Sequence, residues 1–337
     1  MTPLFTFSSK RAHDEDFAPN LMNESLPKSP LNCTNPILVV ILFISCVWAG
    51  DQLLATALSE LQLTSGFRYS RLYRGEETAQ VVTIGNSRGV NSFLSPALSA
   101  LTGKSVLNLS YNGMSCPLAH QLLNDYLEHN KEPELLVIEP TCVFAETKLL
   151  NAMTSYFRHS NGLKALHNLR HGERSPLAEL SALYQFNNEL SLRSFYYLGR
   201  SDQNWVNDYT VSAALLAKVA KMKPITEKNP ADGALTALKK MVDLAKSRGV
   251  AIKFIIGPYL PAYRAKLAYW PALMSALRLA VGPDVAIEDH SLSIDDPTQF
   301  ADRVHLNRRG AVALGELFVK DGVFESHNGK IKPGRRL

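Results

Sequence analysis

From about residue 78 the chain alternates short apolar runs with segments of helical period. The apolar runs QVVTI (80–84), SVLNL (105–109), LLVIE (135–139), AIKFII (251–256) and DVAIE (284–288) predict strands. Helical spacing falls at 95–101, 117–129, 231–248, 263–281 and 307–320. Strand–helix alternation predicts a parallel α/β sheet, and strands this short and apolar predict a sheet covered on both faces. Between the third and fourth strands, 142–230 is an insertion rich in Leu, Tyr, Phe, Asn and Arg, with helical spacing at 177–192 and 211–221. It reads either as a helical cap over the carboxyl edge, where open α/β sheets bind ligands, or as a passive embellishment.

The first 35 residues are polar and rich in Pro, Ser and Asn, with no helical period, and predict a disordered tail. An unbroken apolar run, ILVVILFISCVWA, then fills 37–49. Asp51 interrupts it, and LLATAL at 53–58 resumes it. Counted to Asp51 the run is shorter than the roughly 20 residues that cross a bilayer; counted to Leu58 it is long enough. A single-pass anchor over 36–59 is the expectation, with a linker at 60–77, an α/β domain at 78–325 and a basic tail at 326–337. The polar tail is too long for the first region of a signal peptide, although Ala55-Thr56-Ala57 offers a small-x-small cleavage pattern. Lys10, Arg11 and Lys28 precede the run and Arg68, Arg71 and Arg74 come after it, so charge assigns no orientation.

Composition narrows the class without naming a chemistry. Apolar residues at 46% and charged residues at 20% of 337 exclude a disordered, collagen-like or polytopic membrane chain. Four cysteines in this length are not a disulfide scaffold. The net charge of +5 is nearly matched by Lys330, Lys332, Arg335 and Arg336, which points to a solvated basic tail and not a nucleic-acid face.

Two motifs carry the candidate chemistry. The first strand runs into Gly85-Asn86-Ser87-Arg88-Gly89, a G-x-S-x-G pattern that sets a serine on a sharp strand-to-helix turn. Before the last helix stands Asp302-Arg303-Val304-His305-Leu306-Asn307. A serine nucleophile needs a base, and the imidazole needs a carboxylate to fix its tautomer; Asp and His three residues apart can meet by local geometry. Either motif alone is common. Together they place Ser87 and His305 at one sheet edge.

Both motifs resemble the SGNH/GDSL hydrolase superfamily, which orders a serine block after the first strand and a terminal D-x-x-H block. Gly85-Asn86-Ser87 looks like the first block, with Asn86 where Asp is usual. Asp302, His305, Leu306, Asn307 and Gly310 look like the last. Asn108-Leu109-Ser110-Tyr111-Asn112-Gly113 is similar to the second block, whose glycine N–H serves the oxyanion hole; the resemblance carries that role to Gly113. It implies a flavodoxin-like three-layer fold over about 78–320, apart from the insertion. After the third strand the superfamily often has G-x-N-D, where this chain has Ile138-Glu139-Pro140-Thr141. That departure resembles the membrane-anchored DltD-like and alginate-acetylation branches. It leaves the third oxyanion donor open, with Asn112 and Thr141 as candidates. α/β-hydrolases share G-x-S-x-G, but there the nucleophile succeeds a central strand and Asp and His sit on separate loops.

Other features have plainer readings. Gly103-Lys104-Ser105 lacks the first glycine of a phosphate loop and leads into a strand. His159, His167 and His171 have helical spacing but no clustered carboxylate or cysteine to complete a metal site. Cys116 and Cys142 fall after the second and third strands and could pair in an oxidising compartment or stay as buried thiols. Tyr259, Tyr263 and Trp270 read as an acceptor groove or as core, Glu139 as a substrate contact or a strand cap, and Arg88 as solvated.

The expected protein is an anchored α/β domain carrying out acyl-ester chemistry, as esterase or O-acyltransferase, through Ser87, His305 and Asp302. No metal or organic cofactor is implied. The resemblance points to an envelope polysaccharide outside the cytoplasmic membrane and to a membrane O-acyltransferase partner. A non-catalytic polysaccharide-binding subunit and a soluble small-ester hydrolase are the alternatives.

Overall fold

A computed structural model describes residues 35–171, 181–202 and 205–325; the tail before residue 35 and the basic tail at 326–337 lie outside the described residues. The strands β1 (Val81–Ile84), β2 (Val106–Asn108), β3 (Leu135–Ile138), β4 (Ala251–Ile256) and β5 (Ala286–Asp289) form one parallel sheet. Their order is β2-β1-β3-β4-β5, a doubly wound order whose direction of winding reverses between β1 and β3. Every residue of β1, β2 and β3 is buried. Successive side chains of a strand point to opposite faces, so both faces of these strands are covered. The edge strand β5 is partly exposed and carries Glu288 and Asp289, as an unpaired edge in water favours.

The covering helices pack in two groups. Cys116–His129 lies on Ala234–Ser247, which lies on Trp270–Val281. Arg308–Lys320 packs against Ser95–Thr102 and Ser87–Ser92. Register sets the ends of the central strands level: Thr83 pairs with Asn108 and Val137, and Ile84 with Ile138. The segments leaving β1, β2 and β3 therefore emerge side by side.

Three sequence expectations change. The helix expected at 263–281 is two helices, Pro261–Arg264 and Trp270–Val281. Pro271 sits in the first turn of the second, where its missing N–H costs nothing; inside a continuous helix it would break a hydrogen bond and clash. In the insertion, the expected 177–192 helix begins in residues outside the description. Its remainder is a 3-10 turn, Leu183–Phe186, and a helix, Glu189–Tyr196. Asn188 starts that helix by accepting a hydrogen bond from the Ser191 N–H at 2.9 Å.

The third change concerns 60–77, expected as a linker. It holds the helix Arg68–Arg74, and Phe67, Tyr69 and Leu72 are fully buried, with the helix packed against Cys116–His129. A segment with that much buried aromatic surface is part of the core, not a tether.

The apolar run lies in a 28-residue helix, Pro36–Leu63, long and apolar enough to cross a membrane. The chain divides into two compact units, up to Val47 and from Trp48. In the first, the side chains of Ile37–Ile44 and Val47 are all exposed. In the second, Asp51 accepts hydrogen bonds from Ser181 Oγ (2.5 Å), Ala182 N–H (2.6 Å) and Leu183 N–H (3.3 Å). Ser59 meets His159 Nε2 at 2.8 Å, and Gln62 donates to Ser155 at 3.0 Å. The carboxylate that interrupts the apolar run is thus a cap for the insertion.

Candidate active site

Ser87 is the first residue of the helix Ser87–Ser92, which starts shortly after β1 ends. Asn86 caps it, its side chain accepting from the Arg88 N–H at 2.8 Å. The flanking glycines are required by close approach. A Cβ on Gly85 would stand 2.6 Å from Glu139 Cβ, and one on Gly89 would stand 3.0 Å from Ser110 Cβ and nearer still to its hydroxyl. Asn108, at the end of β2, donates to Gly89 O (3.0 Å) and Phe93 O (2.7 Å), which binds the Ser87–Ser92 helix to its neighbouring strand.

The D-x-x-H segment is a tight loop. Phe300 and Leu306 bridge its ends, and the Ala301 N–H donates to His305 O at 2.9 Å. Asp302 Oδ1 accepts from the Val304 N–H (2.7 Å) and the His305 N–H (2.9 Å). Asp302 Oδ2 lies 2.8 Å from His305 Nδ1, and His305 Nε2 lies 2.7 Å from Ser87 Oγ. Asn307 closes the loop by capping the last helix, accepting from the Gly310 N–H at 3.1 Å.

Charge fixes the proton positions. Burial raises the Asp302 carboxyl, but the hydrogen bond and charge of His305, with the two loop amides, outweigh burial and hold it below the usual carboxylate range. At neutral pH the carboxylate only accepts, so Nδ1 carries the proton. The Nε2 lone pair then faces the Ser87 hydroxyl.

Ser87, Asp302 and His305 line a cavity of about 1070 Å³. Its far wall comes from the insertion, including Leu192, Tyr196, Trp205 and Tyr209, so the insertion is a cap over the carboxyl edge. The stretch from Trp205 to Val211 is strapped across the site. Asn207 donates to Asn91 Oδ1 at 3.2 Å, Asn91 donates to Ser87 O at 2.7 Å, Arg308 pairs with Asp208 at 2.6 Å, and the Val211 N–H donates to Phe300 O at 2.8 Å. The Trp205 indole carries two guanidinium groups, Arg68 and Arg193, each 4.8 Å from a ring centroid.

The remaining sequence candidates divide. Asn112 lines the cavity, and Gly113 comes next in a turn closed by the Met114 N–H to Tyr111 O, with φ at +74°. Thr141 does not take part. It is buried, its hydroxyl donates to Glu139 Oε2 at 2.6 Å, and its N–H donates to the same oxygen at 3.2 Å, so both its donors are spent on the strand cap. Glu139 is that cap, fully buried, and not a substrate contact. Tyr259, Tyr263 and Trp270 are buried in core packing, with Tyr259 and Trp270 edge to face at 5.4 Å. Cys116 and Cys142 are free and buried, and burial, with Cys142 beside it, pushes the Cys116 thiol well up. Among the described residues no three His, Cys, Asp or Glu side chains gather as a metal site.

Sequence reasoning passed over Asn91, Asn207 and the buried side of Arg88. Asn91 had a usable signal, standing four residues from Ser87 on the same helical face. Asn207 had none, because its partner is 116 residues away. Neither a scan of protein-family models nor a search of curated proteins finds a match to this chain.

Proposed function

We propose that the protein is a serine-dependent acyl-transfer enzyme of the SGNH type, an O-acyltransferase or esterase. The observation that carries this reading is the continuous chain of contacts from Ser87 Oγ through His305 to Asp302, at 2.7 and 2.8 Å, on the wall of a large cavity. Ser87 Oγ attacks the carbonyl carbon of an acyl ester while His305 Nε2 takes its proton. The tetrahedral oxyanion is held by the N–H groups of Ser87 and Gly113, with Asn112 beside them; each such donor contributes about 2.7–4 kcal/mol. His305 returns the proton to the leaving alkoxide, which leaves an acyl-serine. A second hydroxyl then gives up its proton to His305 and attacks the acyl carbon, and His305 hands that proton to Ser87 Oγ as it leaves, restoring the starting triad. Water in that place gives hydrolysis; a sugar hydroxyl gives transfer. These steps call for no metal or organic cofactor.

The apolar helix and the resemblance to DltD-like proteins support a single-pass anchor in the cytoplasmic membrane. On that reading the domain lies outside, the substrate is an acylated envelope polysaccharide, and a membrane O-acyltransferase supplies the acyl group. Covalent labelling by a fluorophosphonate probe tests the chemistry. The full chain in detergent is expected to label, and Ser87→Ala and His305→Ala to abolish it. A folded parent that does not label sinks the reading.

A further inference from the structure

Arg88 stands directly after the nucleophile, yet its side chain turns inward and is only 5% exposed. Nη1 donates to Val304 O (2.7 Å) and Pro258 O (3.1 Å), and Nη2 donates to Gly257 O. Nε faces Glu139 Oε1 at 3.4 Å, and the guanidinium carbon lies 3.5 Å from the centroid of the Tyr259 ring. One head group thus reaches the end of β3, the end of β4 and the residue immediately before His305.

We propose that Arg88 is the positioning residue that sets the separation of Ser87 and His305, with its backbone fixed to the nucleophile and its guanidinium fixed to the loop of the base. The proposal rests on the triad reading above. Ser87 and His305 are 218 residues apart, so no local geometry brings them together. The bonds within 300–307 give the loop its shape but not its place over Ser87. Its place comes from outside contacts, among them Arg88 on Val304 O, the Leu260 N–H on Arg303 O at 3.2 Å, the Val211 N–H on Phe300 O at 2.8 Å, and the Arg308 N–H on Asn207 O at 2.9 Å. Of these, Arg88 alone is covalently joined to the nucleophile.

The chemistry of the group suits this task. Several backbone carbonyls in fixed directions match a planar fork of five N–H donors, and a lysine ammonium on a flexible stem cannot reproduce it. The counter-charge is Glu139. Burial raises its carboxyl above the usual range, and the Arg88 charge and the Thr141 hydrogen bonds only partly offset that rise. Gly85 leaves room for Glu139, since a Cβ there would stand 2.6 Å from Glu139 Cβ. A buried ion pair is a poor device for stability compared with apolar packing. Its position between nucleophile and base accounts for it better.

The test uses the full chain in detergent, with Arg88→Lys and the double variant Arg88→Met/Glu139→Gln, which leaves no buried charge unpaired. Fluorophosphonate labelling is measured as a rate against probe concentration. Both variants should keep a cooperative thermal transition. The saturating rate constant should fall at least about tenfold, with the half-saturating concentration within about threefold, because a misplaced base slows chemistry more than binding. A merely structural arginine would lower the fraction of protein that labels and leave the rate constant of the rest unchanged. That outcome in either variant overturns the proposal. The ¹⁵N resonance of His305 Nε2 reads the same contact without chemistry. It should move in Arg88→Lys as it does in Ser87→Ala, and a parental resonance in Arg88→Lys overturns the proposal as well. If the parent itself does not label, the acyl-transfer reading falls, and the resonance still decides the role of Arg88.

Discussion

Asp302→Asn is the most informative single change. The carboxylate has three partners in the structure: the Val304 and His305 amides on Oδ1 and His305 Nδ1 on Oδ2. All three approach an acceptor. An asparagine has one oxygen, and the two loop amides, 2.7 and 2.9 Å away, retain it. The NH2 group then faces Nδ1, which must become the acceptor. The imidazole proton moves to Nε2, where it points at Ser87 Oγ and blocks proton abstraction. The wrong tautomer costs about 10⁴-fold in triads of this kind. That equals about 5.4 kcal/mol of barrier at 1.36 kcal/mol per decade. The swap is nearly isosteric and keeps both amide bonds, so stability should change by less than about 1.5 kcal/mol, within the net contribution of one ordinary hydrogen bond. The assay is the rate of fluorophosphonate labelling at pH 7, beside the thermal midpoint of each protein. Labelling within tenfold of the parent, with the fold intact, would refute the assignment of Asp302 as the tautomer-fixing group.

The same geometry sets two further outcomes. Asp302 has its carboxyl depressed in the folded state, so its ionised form contributes stability in full above the unfolded value of about 3.9 and loses it as pH falls through the lower folded value. The stability gap between parent and Asp302→Asn, read from denaturant midpoints, should shrink as pH falls below about 4; a gap as large at about pH 3 as at about pH 5 contradicts this. Gly85→Ala would set a methyl 2.6 Å from Glu139 Cβ and 3.2 Å from its carbonyl oxygen, with backbone on both sides. A loss of about 1–3 kcal/mol in unfolding free energy is expected, together with slower labelling, and a neutral result would show that β1 and β3 part more easily than their packing implies.

Much of the architecture was legible because its causes are local. Burial on both faces writes β1, β2 and β3 as short apolar runs, and the alternation with helical segments comes from the crossovers a parallel sheet needs. The Asp302–His305 contact is equally local, closed within one loop. The N-terminal helix shows in composition alone. Even so, the local signal failed where a neighbour dominates: Pro271 restarts a helix that periodicity runs straight through.

Tertiary structure alone decided the rest, because its partners are distant in sequence. Arg88 reads as a surface residue beside Ser87 until β3, β4 and the histidine loop converge on its head group. Thr141 reads as an oxyanion donor until Glu139 takes both its donors. Asp51 reads as a flaw in an apolar run until the insertion supplies the N–H groups it caps, and 60–77 reads as a tether until Phe67 and Tyr69 find the core. A sequence records which side chains can bury or ionise. Which carbonyl or carboxylate each one meets is set only when the chain closes on itself, across separations such as the 218 residues between Ser87 and His305.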